Sequence, residues 1–188
     1  CPGNEIILDD KGLPSVMVRI PKFKISDVID GGSDSTHPAF IVNGIEVPEI
    51  YISKFQNVIH NGRAYSLPGE DPKTGINFDT ARQACEAKGP GWHLMTHAEW
   101  AAIALWCRKN NLMPKGNNNY GKDHSETTYI AIPNPNHQDE GRTSRVLTGT
   151  GPVTWSHNGE VTGIWDLNGN VWEWCGGYRT LGGEIHIL

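Results

Sequence analysis

Hydrophobic and polar residues alternate along the first third of the chain, which is the pattern of half-buried β-strands. The segment 15–25 follows this pattern and predicts a strand whose regular pairing ends at Pro21. The segment 40–55 predicts a hairpin with Asn43-Gly44 as its turn, because both residues tolerate positive φ. A further strand is predicted over 50–55.

The pattern changes to helical spacing in the middle of the chain. One helix is predicted over 78–88, capped by Asn77 and ended by Gly89-Pro90. A second is predicted from Thr96 to about Lys109, because Thr96 and Glu99 form a capping box. The apolar residues expected to face the core share one side of each helix: Phe78, Ala81, Ala84 and Cys85 on the first, and Trp100, Ile103, Ala104 and Cys107 on the second.

Regular signals are sparse from 110 to 163, where Gly, Asn, Pro and Thr dominate. A long irregular segment inside a compact domain is uncommon and is often functional. All seven tryptophans lie in the half of the chain that carries this segment. We expect them to act as packing anchors for the loop-rich backbone.

The segment 163–174 contains three tryptophans and two carboxylates. Asn168-Gly169 predicts a turn, and alternation after it predicts a strand with Trp172 and Trp174 on one face. In such a strand, the carbonyls of Gly169 and Val171 and the carboxylate of Glu173 are expected to converge, and Asp166, just before the turn, completes the set. Hard oxygen donors suit calcium. Spacing alone favours the plainer alternative, in which the two carboxylates accept hydrogen bonds from backbone amides.

Length and composition indicate one domain over 1–188 with a short extension at 1–14. The net charge of -5 argues against nucleic acid as the main partner. No apolar run reaches the length of a membrane span, so no membrane insertion is expected. Cys85 and Cys107 are predicted to be buried thiols, although a disulfide between them stays open. His93 and His97 do not share a helical face, which argues against zinc.

No catalytic residue is assigned from the sequence. Cys175 lies near the tryptophans, but no neighbouring residue marks its thiol as activated. Ser156-His157 lacks the setting of a nucleophilic serine.

Two segments resemble the signatures of formylglycine-generating-enzyme domains, also called sulfatase-modifying-factor domains. The segment 92–100 is similar to "RLPTEAEWE", and the segment 163–174 is similar to "GLYDMAGNVWEW". The resemblance covers nearly the whole chain. It implies an α+β, C-type-lectin-like fold of two helices, small antiparallel sheets and long loops. It also implies a structural calcium site, whose pattern carries over to Asp166, Gly169, Val171 and Glu173.

The family divides by function. Its enzymes oxidise a sulfatase cysteine with copper and a cysteine pair in a C-terminal segment, and related sulfoxide synthases use iron held by histidines. A third branch comprises the variable proteins of diversity-generating retroelements in phages and prophages, which display a mutable aromatic surface. Here His93 and Met95 replace an arginine and a proline of the enzyme signature, and Cys175 does not match a catalytic cysteine. The domain is expected to be incomplete at its C-terminus.

The segments 92–96, 117–121 and 182–185 resemble the variable proteins of phages and prophages. With the departures from the enzyme signature, this resemblance favours a non-catalytic, retroelement-diversified protein that binds an unknown protein or glycan receptor. A phage virion or bacterial cell surface is the expected location, and a homo-oligomer is possible. Candidate binding residues are Trp155, His157, Tyr178 and Arg179. One alternative is an oxidase whose catalytic segment is absent, and another is a structural domain of a phage fibre.

Overall fold

The fold is built on a three-stranded antiparallel sheet near the N-terminus. The structure is a computed structural model and describes residues 3–128, 130–135, 138–139 and 141–187. The strands β1 (Asn4–Leu8), β2 (Pro14–Pro21) and β5 (Glu49–Ser53) lie in the order β1-β2-β5. The strands predicted at 15–25 and 50–55 are therefore present. Residues 4–8 pair with β2 along their whole length, so this part of the expected extension belongs to the sheet.

Four two-stranded hairpins accompany the sheet. The predicted Asn43-Gly44 turn joins β3 to β4, and both residues have positive φ, at 51° and 78°. This is the geometry of a turn whose twist matches that of its strands. The hairpin strands are β3 (Ile41–Val42), β4 (Ile45–Glu46), β6 (Val58–His60), β7 (Arg63–Tyr65), β8 (Gln138–Asp139), β9 (Arg142–Thr143), β10 (Tyr178–Leu181) and β11 (Glu184–Ile187).

Three α-helices occur among the described residues, one more than predicted. The additional helix, α1 (Ile25–Val28), is a single turn. The other two, α2 (Phe78–Glu86) and α3 (His97–Lys109), begin where expected. The Asn77 side chain accepts a hydrogen bond from Thr80 N at 2.8 Å at the start of α2. Thr96 and Glu99 form the predicted capping box at the start of α3.

The main core lies between the sheet and α3. Ile103 and Cys107 of α3 pack with strand residues of β2 and β5, including Val18 and Ile52. Trp100, which was expected in this stripe, is instead exposed, whereas Ala102 is fully buried. Cys85, Cys107 and Cys175 are free thiols, and the first two are buried as predicted. Cys1 lies outside the described residues.

The described residues of the segment 110–163 are largely irregular, as expected. A second core cluster gathers there, in which Trp155 and Trp165 pack with Phe55 of the segment that follows β5. The expectation that every tryptophan anchors the fold is wrong. Trp172 is fully exposed, and Trp100 is exposed over about half of its surface.

The loop at 116–118 lies directly against 168–170. Asn170 N donates a hydrogen bond to Asn117 O at 2.9 Å. A Cβ atom on Gly116 would lie 1.6 Å from Asn168 O, and one on Gly169 would lie 2.4 Å from Asn117 O. The two backbones touch only because glycine occupies both positions.

We expect Gly116→Ala to lower the free energy of unfolding by about 1–3 kcal/mol, because the added methyl group overlaps Asn168 O. Gly176→Ala is the matched control, since its Cβ atom would meet nothing closer than Leu94 O at 3.9 Å. Urea unfolding followed by tryptophan fluorescence measures both. Equal stability of the two variants would contradict the close approach of the loops.

Candidate metal centre and aromatic surface

The segment 163–177 forms an irregular loop rather than the predicted turn and strand. Asp166, Gly169 and Asn170 all have positive φ, at 62°, 79° and 61°. Its β-type contacts are isolated bridges, between Trp165 and Ser156 and between Gly176 and Thr96. The predicted strand after Gly169 is therefore absent, because Asn170 adopts a left-handed conformation and residues 171–174 form no strand.

Backbone hydrogen bonds fix this loop against the end of the sheet. Trp165 N donates to Lys54 O at 2.8 Å, and Lys54 N in turn donates to Val16 O at 3.0 Å. His157 N donates to Ile164 O at 2.8 Å from the other side. These bonds place the loop beside Gln56, which follows β5 by three residues and is buried.

Three backbone carbonyls of the loop converge on one point. The side-chain nitrogen Nε2 of Gln56 lies 3.1 Å from Asp166 O, 3.4 Å from Gly169 O and 3.3 Å from Val171 O. The sequence predicted that the carbonyls of Gly169 and Val171 point the same way. In the structure they do so because the loop curves around the Gln56 amide.

The carboxyl group of Asp166 is deeply buried and only half satisfied. The residue is 1% exposed. Its Oδ2 accepts a hydrogen bond from Gly149 N at 2.8 Å, whereas Oδ1 has no hydrogen-bond partner among the described residues. Burial raises the pKa of this carboxyl to about 6, partly offset by the Gly149 bond. A buried oxygen with no partner is costly unless something else binds it.

Glu173 brings a second carboxyl group to the same place. Desolvation by the surrounding protein, followed by repulsion from Asp166, raises its pKa to about 7, and a hydrogen bond with Gln56 acts in the opposite direction. The residue still has an exposed surface. Both observations agree with its position in a groove wall, where water reaches one side and protein atoms crowd the other.

The oxygens of Asp166, Gly169, Val171 and Glu173 fit a calcium ion by type. All are hard donors. Asp166 Oδ1 has no hydrogen-bond partner among the described residues, and the two carboxylates repel each other. Only two of the four candidate ligands, Asp166 and Glu173, offer acidic side chains. Within the described residues, no group of three or more His, Cys, Asp or Glu side chains is arranged to hold a metal.

The four candidate binding residues separate into two buried and two exposed ones. Trp155 is fully buried and donates from Nε1 to Glu126 Oε2 at 3.0 Å, so it has no surface for a partner. His157 is buried too, and desolvation lowers the pKa of its imidazole to about 4. These two placements correct the sequence-based assignment. Tyr178 and Arg179 of β10 are exposed.

Several exposed aromatic rings lie together beside the candidate calcium ligands. The sequence did not predict that these rings form one group. We define the aromatic surface as His97, Trp100, Trp172 and Tyr178. His97, Trp100 and Trp172 line one concave surface together with Glu173. The rings of His97 and Tyr178 meet edge to face with centroids 4.5 Å apart. Of these residues, only Tyr178 was a binding candidate from the sequence, whereas Trp100 was expected to face the core because it is hydrophobic.

Trp174 is held beside this surface by contacts of its own. Its Nε1 donates to Ile76 O at 3.0 Å, and its ring meets Phe78 at 6.0 Å. It therefore connects the loop to the start of α2, as an anchoring tryptophan was expected to do.

The described thiols and the two paired histidines show no activated nucleophile. Burial raises the pKa of Cys85, Cys107 and Cys175 above that of a free thiol. His93 Nε2 lies 2.9 Å from Glu99 Oε1, and His97 Nδ1 lies 2.7 Å from Gly176 O. The two histidines thus have separate partners, as their spacing indicated.

A comparison with protein-family models decides the family. The model of the sulfatase-modifying factor enzyme 1-like domain matches residues 3–183. The chain belongs to this family. The described part of this sulfatase-modifying factor domain is a mixed α/β fold of three α-helices and small antiparallel sheets. A comparison with curated proteins gives no match. Among the described helices of the domain, none has the length and apolarity needed to cross a bilayer.

The Glu173 carboxyl generates a stability prediction for the metal-free domain. Because its folded-state pKa is raised from 4.5 to about 7, its contribution is fully present below about pH 4.5 and is lost as the pH rises through about 7. In Glu173→Gln the side chain at this position stays uncharged, so the variant does not lose this stability as the pH rises. In chelator at pH 8, we expect the variant to be more stable than wild type by on the order of 1 kcal/mol, since water screens part of the repulsion.

Urea unfolding at pH 4 and pH 8 measures this difference. The two proteins should converge at the lower pH, where Glu173 is protonated. A constant difference at both pH values would contradict the raised pKa of Glu173.

Proposed function

We propose that this sulfatase-modifying factor domain is a non-catalytic ligand-binding protein with a C-type-lectin-like fold. It is of the retroelement-diversified kind, binds a protein or glycan receptor, and acts on a phage virion or a bacterial cell surface. The observation that carries the proposal is the aromatic surface, in which Trp172 is fully exposed beside the half-exposed Trp100 and Tyr178.

Exposed aromatic rings on a rigid base suit recognition. Tryptophan and tyrosine supply a large contact area with few rotatable bonds, and they are enriched where partners bind. Solvent exposure of several such rings in one place costs free energy in the unbound protein. The base is rigid because the loop bearing Trp172 is bonded to Gln56, Lys54 and Asn117.

The oxidase alternative requires a reactive thiol, and support for one is weak among the described cysteines. Cys175 is the only one that is partly accessible, and Glu173 and Glu99 raise its pKa by repulsion in addition to burial. A thiol in a negative field is less often a thiolate and so a poorer nucleophile.

Trp172→Ala tests the aromatic surface. We expect binding to bacterial cells or to a glycan array to weaken at least about tenfold, since central aromatic residues contribute about 2 kcal/mol or more to interfaces. The melting temperature should change little, because the side chain contacts solvent. Met113→Ala is the matched control: Met113 is 88% exposed and lies outside the aromatic surface.

Unchanged binding by Trp172→Ala would contradict the proposal, and so would weakening of the same size by Met113→Ala. If the wild-type domain converts a cysteine of a sulfatase-derived peptide to formylglycine, the oxidase alternative replaces the proposed binding function.

We further propose that calcium binds at Asp166, Gly169, Val171 and Glu173 and stabilises the loop that presents Trp172. Calcium at ten times its Kd should raise the free energy of unfolding by about 1.4 kcal/mol. The corresponding rise in melting temperature is about 3–6 °C. Asp166→Ala should abolish the shift. Asp30→Ala, at an exposed aspartate paired with Lys109, should retain it.

Protein stripped with chelator provides the starting state for this measurement. Magnesium is the matched ion, and we expect it to give no shift because it requires a smaller octahedral shell. The absence of a shift with millimolar calcium, or an equal shift in Asp166→Ala, would count against the site.

A further inference from the structure

Gln56 occupies the centre of the proposed calcium site. Its amide nitrogen is the point on which the carbonyls of Asp166, Gly169 and Val171 converge. It also lies near enough to the Glu173 carboxyl group to lower that group's pKa. One neutral amide therefore faces four oxygens with two hydrogen atoms, and it supplies no positive charge to either carboxylate.

Neighbouring backbone groups determine which end of the Gln56 amide points inward. Val146 N can only donate, and it bonds to Asn170 Oδ1 at 2.9 Å. The other end of the Asn170 side chain must then be Nδ2, which donates to Val146 O at 3.1 Å and to Gln56 Oε1 at 3.0 Å. Gln56 therefore presents Oε1 to Asn170 and Nε2 to the carbonyls.

We infer that Gln56 sets the calcium affinity of this domain, because its amide nitrogen lies between the converging carbonyls and must leave before an ion can bind. The inference rests on the calcium site proposed above. In this role, the neutral Gln56 amide donates hydrogen bonds to the carbonyls when no ion is bound.

Displacement of the amide has a defined cost. Inversion of the Gln56 amide would bring Oε1 to the carbonyl cluster as a fifth oxygen donor, but it would also place Nε2 against Asn170 Nδ2. Two donors would then face each other, and the 3.0 Å bond between the side chains would be lost. Rotation of the whole side chain loses the same bond. Either movement lowers the observed affinity, because part of the binding free energy is used to reorganise the site.

Gln56→Glu tests the role directly. The substitution keeps the size of the side chain, removes the inward donor and adds a calcium-type oxygen. We expect the calcium Kd, measured by isothermal titration with calcium chloride, to fall at least about tenfold relative to wild type. In chelator the variant should melt at a lower temperature than wild type, because its carboxylate faces the carbonyls and Glu173.

Gln83→Glu is the matched control. Gln83 lies on α2 and is exposed, so the same change of charge is made away from the site. It should leave both the calcium Kd and the melting temperature in chelator unchanged. Gln56→Ala is the second variant, in case the glutamate variant does not fold without calcium. It removes the competing donor without adding charge, and its Kd should also fall below that of wild type.

The outcomes separate this inference from the proposed site. Tighter calcium binding by either Gln56 variant than by wild type supports the role of Gln56, even if wild type shows no measurable binding. If wild type binds calcium and both Gln56 variants bind it equally tightly or more weakly, the inference is overturned, but the calcium site stands. An absence of calcium binding by all the proteins overturns both. A gain in Gln83→Glu equal to that in Gln56→Glu overturns the inference, since net charge would then explain it.

Discussion

The loop-rich half of this domain depends on side-chain amides that replace the hydrogen bonds of regular structure. Buried backbone groups need partners, and irregular chain cannot supply them by itself. Asn170 is central. Its side chain bonds to Val146 N, Val146 O and Gln56 Oε1, and it accepts a bond from Asn117 Nδ2 at 3.3 Å. Three separate segments are thereby attached to one residue, which adopts positive φ to reach them.

This network explains how a loop without strands can present aromatic rings. Val171 O is bonded to Gln56, and Trp174 Nε1 is bonded to Ile76 O. Trp172, between them, is held on both sides while its own ring remains in solvent. The entropy of ordering the loop is thus offset within the fold, before any partner binds. A surface prepared in this way is consistent with ligand recognition as the proposed role of the domain.

The same network joins the aromatic surface to the proposed calcium site, because Asp166 and Glu173 border the loop that carries Trp172. The carbonyls already have an amide partner, and this amide brings no positive charge to the two neighbouring carboxylates. The neutral amide satisfies hydrogen bonding but not charge. That difference is the reason why we propose a role for Gln56 in the calcium affinity of the site.

The sequence by itself determined the local elements and the family. Alternation predicted β2 and β5, Asn43-Gly44 predicted the first turn, and Thr96 with Glu99 predicted the start of α3, because each signal acts between neighbouring residues. The tertiary structure decided which tryptophans are buried, since Trp155 and Trp172 are equally apolar and differ only in what surrounds them. It also brought Gln56 to the carbonyls of a loop more than one hundred residues away. No local pattern carries that contact, because it arises from the path of the whole chain.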